Sequence, residues 1–246
     1  MSRSQRTKPD RTGQLEIFPT PSWPVHALLN RLKPHGGNWF EPCAGEGHII
    51  RAVDAWFKQN RPDEPAPTWE STDIRPTRYA QPCCDMTKLD NYFSQKKKTY
   101  STIITNPPFS KALDLFNVLW PMAEKALVFL LPCSWMGSSE RTALLRAHAP
   151  NLFILPERPI FRGCGTDQEI YAWFLWSKFS KLAPLLGPGY GLLHVLPATP
   201  VAARRASEAA AFVDMPADWH REVEVRRQAV KVREVERREK ARNSRL

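Results

Sequence analysis

Apolar positions in this chain fall into two alternating kinds of stretch. Short runs dense in branched and aromatic residues, at 36–43, 68–73, 100–105, 125–131, 151–155 and 170–176, predict buried strands. Between them, 25–29, 49–59, 110–120 and 138–148 repeat their apolar residues at helical spacing. Thr20 or Ser22 stands where the first helix needs an N-cap, and the stretch opening at Ser138 reads as a capped helix. Strands alternating with helices predict an α/β domain built on a mostly parallel sheet, and ligands bind such sheets at the carboxyl ends of the strands.

The pattern also divides the chain. Residues 1–17 are polar and basic and predict a flexible arm able to touch phosphate. The α/β domain spans 18–182, a Pro/Gly-rich linker 183–200, and a charged helical tail 201–246. From Trp219 onward the tail is dense in arginine without a heptad seam, so it reads either as a solvated helix or as one that meets nucleic acid or a partner. The lead-in Phe18-Pro-Thr-Pro-Ser-Trp-Pro24 is stiffened by proline, and both a plain lead-in and a ligand-facing role stay open for it.

Composition narrows the function classes. A formal net charge of +10 favours a polyanionic partner. Five cysteines without a Cys-x-x-Cys pair argue against a disulfide framework and a zinc module, and predict a reducing compartment and no metal. No apolar run is long enough to span a bilayer and none follows the basic amino terminus, so a soluble, cytoplasmic protein with no membrane partner is expected.

The chemistry centres on Asn106-Pro107-Pro108-Phe109, at the carboxyl end of the 100–105 strand. The lone pair of an adenine amino group is delocalised into the ring. Two acceptors, the Asn106 side-chain oxygen and the Pro107 carbonyl, would hold its N–H bonds and favour the pyramidal geometry of attack. Pro107 and Pro108 stiffen those acceptors, and Phe109 would stack on the base once it has left its helix. Upstream, Glu41 closes a strand before Ala44-Gly45-Glu46-Gly47, whose glycines let backbone approach a ligand. The third glycine of a dinucleotide fingerprint is missing, and the acid suits a cationic ligand better than a diphosphate. Asp73, closing the next strand, is placed either to hold a ribose diol or to cap a helix. Asp85 offers an acceptor to an adenine amino group, with Met86 packed on the ring. The 156–169 loop presents Arg158 and Arg162 as candidate nucleic-acid contacts. Lys96–Lys98 lies at the wrong sheet edge, and Cys133, after the wrong strand, is not expected to act as a nucleophile.

Over residues 18–180 these motifs resemble the class I S-adenosylmethionine-dependent methyltransferases, and within them the amino-methylating DNA adenine enzymes of phage and prophage type. Glu41-Pro42-Cys43-Ala44-Gly45-Glu46-Gly47 is similar to their cofactor motif, Asn106–Phe109 to their catalytic motif, and Thr20-Pro21 to the lead-in that approaches the methionine carboxylate. The resemblance implies a Rossmann-like, seven-stranded, mostly parallel sheet flanked by helices, its last strand antiparallel. It implies S-adenosylmethionine as cofactor, held by Thr20, Pro21, Glu41, Pro42, Ala44, Gly45, Gly47, Asp73, Asp85, Met86 and Asn106. The implied reaction is direct methyl transfer to adenine N6 in DNA, in the cytoplasm of a bacterial or phage-infected cell. RNA adenine and protein glutamine methylation share the catalytic signature, and a binding module without turnover is the reading from another class. No insertion is long enough for a separate recognition domain, which leaves sequence specificity to loops and tail.

Overall fold

A computed structural model describes residues 17–88, 90–161, 169–178 and 192–243. Seven strands, β1 (Asn38–Glu41), β2 (Thr68–Ser71), β3 (Tyr100–Thr105), β4 (Ala123–Pro132), β5 (Asn151–Ile154), β6 (Tyr171–Ser177) and β7 (Leu193–Val195), form one sheet in the order β2-β1-β3-β4-β6-β5-β7. The pairs β1–β2, β1–β3, β3–β4 and β5–β7 are parallel, and β6 runs antiparallel to both of its neighbours. The antiparallel strand is thus the sixth in the chain rather than the last. The seventh comes from within the 183–200 stretch expected as linker.

The two-residue period of the strands accounts for the layers. Trp39, Ile104, Val128, Leu130 and Trp173 point into one core, together with the inner faces of helices α1 (Ser22–Leu32) and α2 (His48–Asn60). Their neighbours Phe40, Ile103, Leu127, Phe129, Leu131 and Phe174 point into the other, against α4 (Ala112–Leu119). A sheet covered on both faces is why its strands read as continuous apolar runs. A single turn, α3 (Tyr92–Gln95), is capped by Asn91, whose side chain accepts the Phe93 and Ser94 N–H groups at 2.9 Å.

Two expected caps are not present. Pro21 precedes α1 without a side-chain cap, Ser22 is its first helical residue, and Thr20 turns to another partner described below. The 138–148 stretch divides into a 3-10 turn at Ser139–Arg141 and α5 (Thr142–Ala147), neither with a side-chain cap.

The tail is more involved with the domain than its charge suggests. It forms α6 (Val201–Val213) and α7 (Ala217–Asn243). The Ser207 hydroxyl lies 3.0 Å from that of Ser22 and accepts the Trp23 N–H at 3.1 Å. Buried Glu208 accepts the Trp23 indole N–H and the Ile160 N–H, each at 3.4 Å. Met215, Trp219 and Val223 form a small satellite core with Phe212 and Ile17, so the first turns of α7 are packed. Val225 and Val232 beyond it are exposed. Among the described residues no helix is long and apolar enough to cross a membrane. Of the 1–17 arm, residues 1–16 lie outside the described residues.

One contact of α6 is made by a half-buried histidine. The His48 ring donates from Nε2 to the Ala211 carbonyl at 2.8 Å. Burial, more than the neighbouring Arg51 and Arg75 charges, lowers its pKa from 6.5 to about 4, against the pull of that carbonyl and of Asp214. The unfolded chain therefore binds a proton between pH 6.5 and 4 that the folded chain refuses, and stability contributed by neutral His48 is lost as pH falls through this window. The difference in unfolding free energy between wild type and His48→Gln, which keeps an N–H donor, should shift against the wild type from pH 7 to pH 4.5. Denaturant titrations at the two pH values measure it, and a constant difference would contradict the assignment.

Candidate active site

Strand order brings the candidate residues together. The chain leaves β1 for β2 on one side and returns to β3 on the other, so the carboxyl end of β1 sits at the switch point of the sheet, the place where open α/β sheets bind their ligands. Glu41 is the last residue of β1, Asn106 directly follows β3, and Asp73 follows β2 by two residues. Register fixes the neighbourhood. Glu41 pairs with Ser71, and its carbonyl accepts the Thr72 N–H at 3.0 Å.

Glu41 is 1 % exposed, and neither carboxylate oxygen has a hydrogen-bond partner among the described residues. Burial pushes its pKa well above 4.5; the nearby Thr105 hydroxyl opposes the shift and the Asp73 carboxylate adds to it. The Thr105 hydroxyl and the Asn106 Oδ1 oxygen are likewise buried without a partner. Buried orphan acceptors cost roughly 1–3 kcal/mol each. Three such groups stand together at the ends of the adjacent strands β1 and β3.

The glycine turn is held from behind. Gly45 and Gly47 have φ of 50° and 74°, in the left-handed region where a side chain is strained, and Gly47 is the N-cap of α2. A methyl on Gly47 would overlap the Tyr79 ring, while one on Gly45 would come within 3.3 Å of Arg75 Nη2. These glycines therefore admit the chain's own Tyr79 and Arg75 to the turn. Asp73, 7 % exposed, accepts the Gly45 N–H on Oδ2 at 2.8 Å. Its Oδ1 accepts both the backbone N–H and the Nε of Arg75, at 2.9 and 3.1 Å. Sequence reasoning missed Arg75 and Tyr79, which carry no motif of their own. A diol at Asp73 would share a carboxylate that already clamps the glycine turn.

The catalytic candidates are oriented by the lead-in. Asn106 Nδ2 donates to Thr20 Oγ1 at 2.9 Å and to the Phe18 carbonyl at 3.3 Å. The Pro107 carbonyl accepts no hydrogen bond among the described residues, whereas the Pro108 carbonyl accepts the Lys111 N–H at 2.9 Å. Phe109 does not present two bare faces. Phe18 is stacked on it with ring centroids 5.1 Å apart and planes 18° from parallel, and Tyr171 lies tilted at 5.9 Å. Phe161 closes the cluster against Phe18 and Tyr171. Phe18 was legible only as part of a proline-stiffened loop.

Other expected residues are placed less centrally. Pro21, Pro42 and Ala44 are buried around the lead-in and the turn. Asp85 accepts the Thr87 hydroxyl and N–H on Oδ1, at 2.6 and 3.0 Å, and these bonds lower its pKa. Met86, expected to pack on a ligand ring, is 3 % exposed and belongs to the core with Phe40 and Phe93. Arg158 is exposed on the loop after β5, while Arg162 lies outside the described residues. Burial, then the Glu169 charge, raises the Cys133 thiol pKa. Burial, then the Glu41 and Asp73 charges, raise that of Cys43 far more.

No family model and no curated protein matches the sequence. Among solved structures, the chain is similar to the M protein of the type I restriction enzyme EcoKI, with a TM-score of 0.54 at 14% identity, over 75% of this chain and 50% of that one. A chain from Vibrio vulnificus assigned as the modification subunit of a type I restriction enzyme aligns at 0.48 and 11% identity, over 87% and 53%. Magnesium protoporphyrin IX methyltransferase from Synechocystis, solved with S-adenosylmethionine bound, aligns at 0.38 and 13%, over 63% and 76%. The chain spans about half the length of the two restriction-enzyme subunits. What it shares with the EcoKI protein at this identity is the fold, and the seven-stranded mixed sheet with flanking helices is that of the Rossmann-like class I methyltransferases.

Proposed function

We propose that this chain transfers the methyl group of S-adenosylmethionine to the N6 amino group of adenine in DNA. The observation that carries the reading is the buried Asn106 Oδ1, an acceptor with no partner among the described residues, beside the Pro107 carbonyl at the switch point of the sheet. Two rigid acceptors side by side fit an NH₂ group and match the charge that grows on its nitrogen during attack. An orphan carboxyl at Glu41, beside the glycine turn, fits a cationic amino-acid end, so the residues present suit this cofactor. When bound, it supplies an electrophilic methyl group and needs no covalent intermediate on the protein.

The chain's own contribution is placement. Glu41 would give up its proton to pair with the ammonium group, and Asp73 would hold the ribose while keeping Gly45 in place. Asp85 has one oxygen not engaged by Thr87 for an adenine donor. Phe109 would exchange the Phe18 ring for the target base, ring for ring. Arg78, Lys111, Arg141 and Arg158 stand on loops at the carboxyl ends of β2, β3, β4 and β5, where cations would meet phosphate. Incubating the protein with labelled S-adenosylmethionine and, separately, DNA, RNA and total protein, then locating the methylated atom by mass spectrometry, tests the reading. Label on RNA or glutamine alone would replace DNA as the substrate, and no label anywhere would refute transfer.

Two further outcomes are expected. Asn106→Ala should slow methyl transfer in single turnover by roughly 10²-fold or more while leaving cofactor affinity nearly unchanged. A wild-type rate would make Asn106 structural.

For Glu41 the sign is opposite to that of His48. A buried acid kept neutral contributes stability that is complete below pH 4.5 and is lost as pH rises through its raised folded value. Glu41→Gln should therefore unfold at a higher temperature than wild type at neutral pH, with the gap closing near pH 4, and should bind cofactor weakly. Scanning calorimetry with and without cofactor reads both, and equal melting temperatures at neutral pH would contradict the buried-acid assignment.

A further inference from the structure

Thr20 is 4 % exposed, and its hydroxyl oxygen accepts the Asn106 amide N–H at 2.9 Å. The second acceptor on the same nitrogen, at 3.3 Å, is the carbonyl of Phe18, which cannot donate. Together they decide which way round the amide sits. Turning it about its Cβ–Cγ bond would set Oδ1 against the Phe18 carbonyl, acceptor against acceptor, and would oblige the Thr20 hydroxyl to turn its own hydrogen toward Oδ1. It would also aim two N–H donors, in place of an acceptor, at the amino group to be methylated. We infer that Thr20 is a positioning residue of the reaction, holding the Asn106 amide in place while the Phe18 carbonyl keeps its oxygen toward the substrate, rather than a contact for the cofactor.

The lead-in is built to hold that position. Pro19, Pro21 and Pro24 fix its backbone torsions, and the buried Trp173 indole on β6 donates to the Pro24 carbonyl at 2.9 Å. Ser207 on α6 holds the Ser22 hydroxyl and the Trp23 N–H. The acceptor therefore stands on a segment tied to the sheet and to α6. A carbonyl and a hydroxyl in so fixed a place turn a side-chain amide with two near-equivalent orientations into a preorganised one.

The inference rests on the proposed amino-group chemistry, and the test separates the two. Thr20→Val keeps the shape and removes the acceptor, whereas Thr20→Ser restores the hydroxyl. With S-adenosylmethionine pre-bound at saturation, Thr20→Val should transfer methyl about 10- to 100-fold more slowly than wild type, the scale of a misplaced reacting group. Thr20→Ser should recover most of the rate, and cofactor affinity by calorimetry should stay within about threefold for both, since neither changes a cofactor contact. Full rate at saturation with weakened cofactor binding would make Thr20 a cofactor contact and overturn the inference, as would a Thr20→Ser variant as slow as Thr20→Val. If Thr20→Val unfolds below the assay temperature, Thr20→Ala replaces it under the same criteria. A wild type that methylates no amino group removes the reading beneath the inference; an active wild type matched by Thr20→Val removes the inference alone.

Discussion

Parallel pairing of β1 with β2 on one side and β3 on the other is the constraint on which the rest depends. Parallel strands all point their carboxyl ends the same way, so Asp73, Glu41 and Asn106, far apart in the chain, emerge at one edge in that spatial order. The order reverses at β1, and it is at such reversals that open α/β sheets bind ligands. Were β3 to pair beside β2 instead, Asn106 would be two strand spacings, about 10 Å, from Glu41.

What the edge collects is costly. Glu41, Thr105 and Asn106 each bury polar atoms that have no partner among the described residues, beside strands filled by aromatic and branched side chains. Such groups call for an explanation beyond packing. The nearby backbone is spent differently. Asp73 and Arg75 brace the glycine turn, and Tyr79 fills the space its second glycine leaves.

The strands and the helices between them were legible because each has a period, and the edge residues were legible because acid, glycine and amide stand where strands end. Thr20 and Phe18 could not be assigned in that way, since their partner Asn106 lies more than eighty residues on and nothing local signals it. Met86 reads as a ligand neighbour from its place beside Asp85, yet β-sheet packing claims it for the core. The tail misled for another reason. α6 docks through Ser207 and Glu208, a serine and a buried acid, without the apolar stripe that periodicity detects. β7, at three residues, is too short to show a period, and its alternate side chains face solvent.

The hydroxyl contact between Ser22 and Ser207 joins positions 185 residues apart. Chains are made from the amino terminus, so the lead-in that orients Asn106 leaves the ribosome long before the helix that braces it. Until α6 has been synthesised, Trp23 lacks the partners for both its backbone and indole N–H groups. The lead-in is thus made before the helix that completes its support, and nascent chains that stop short of α6 carry the proposed site without that support.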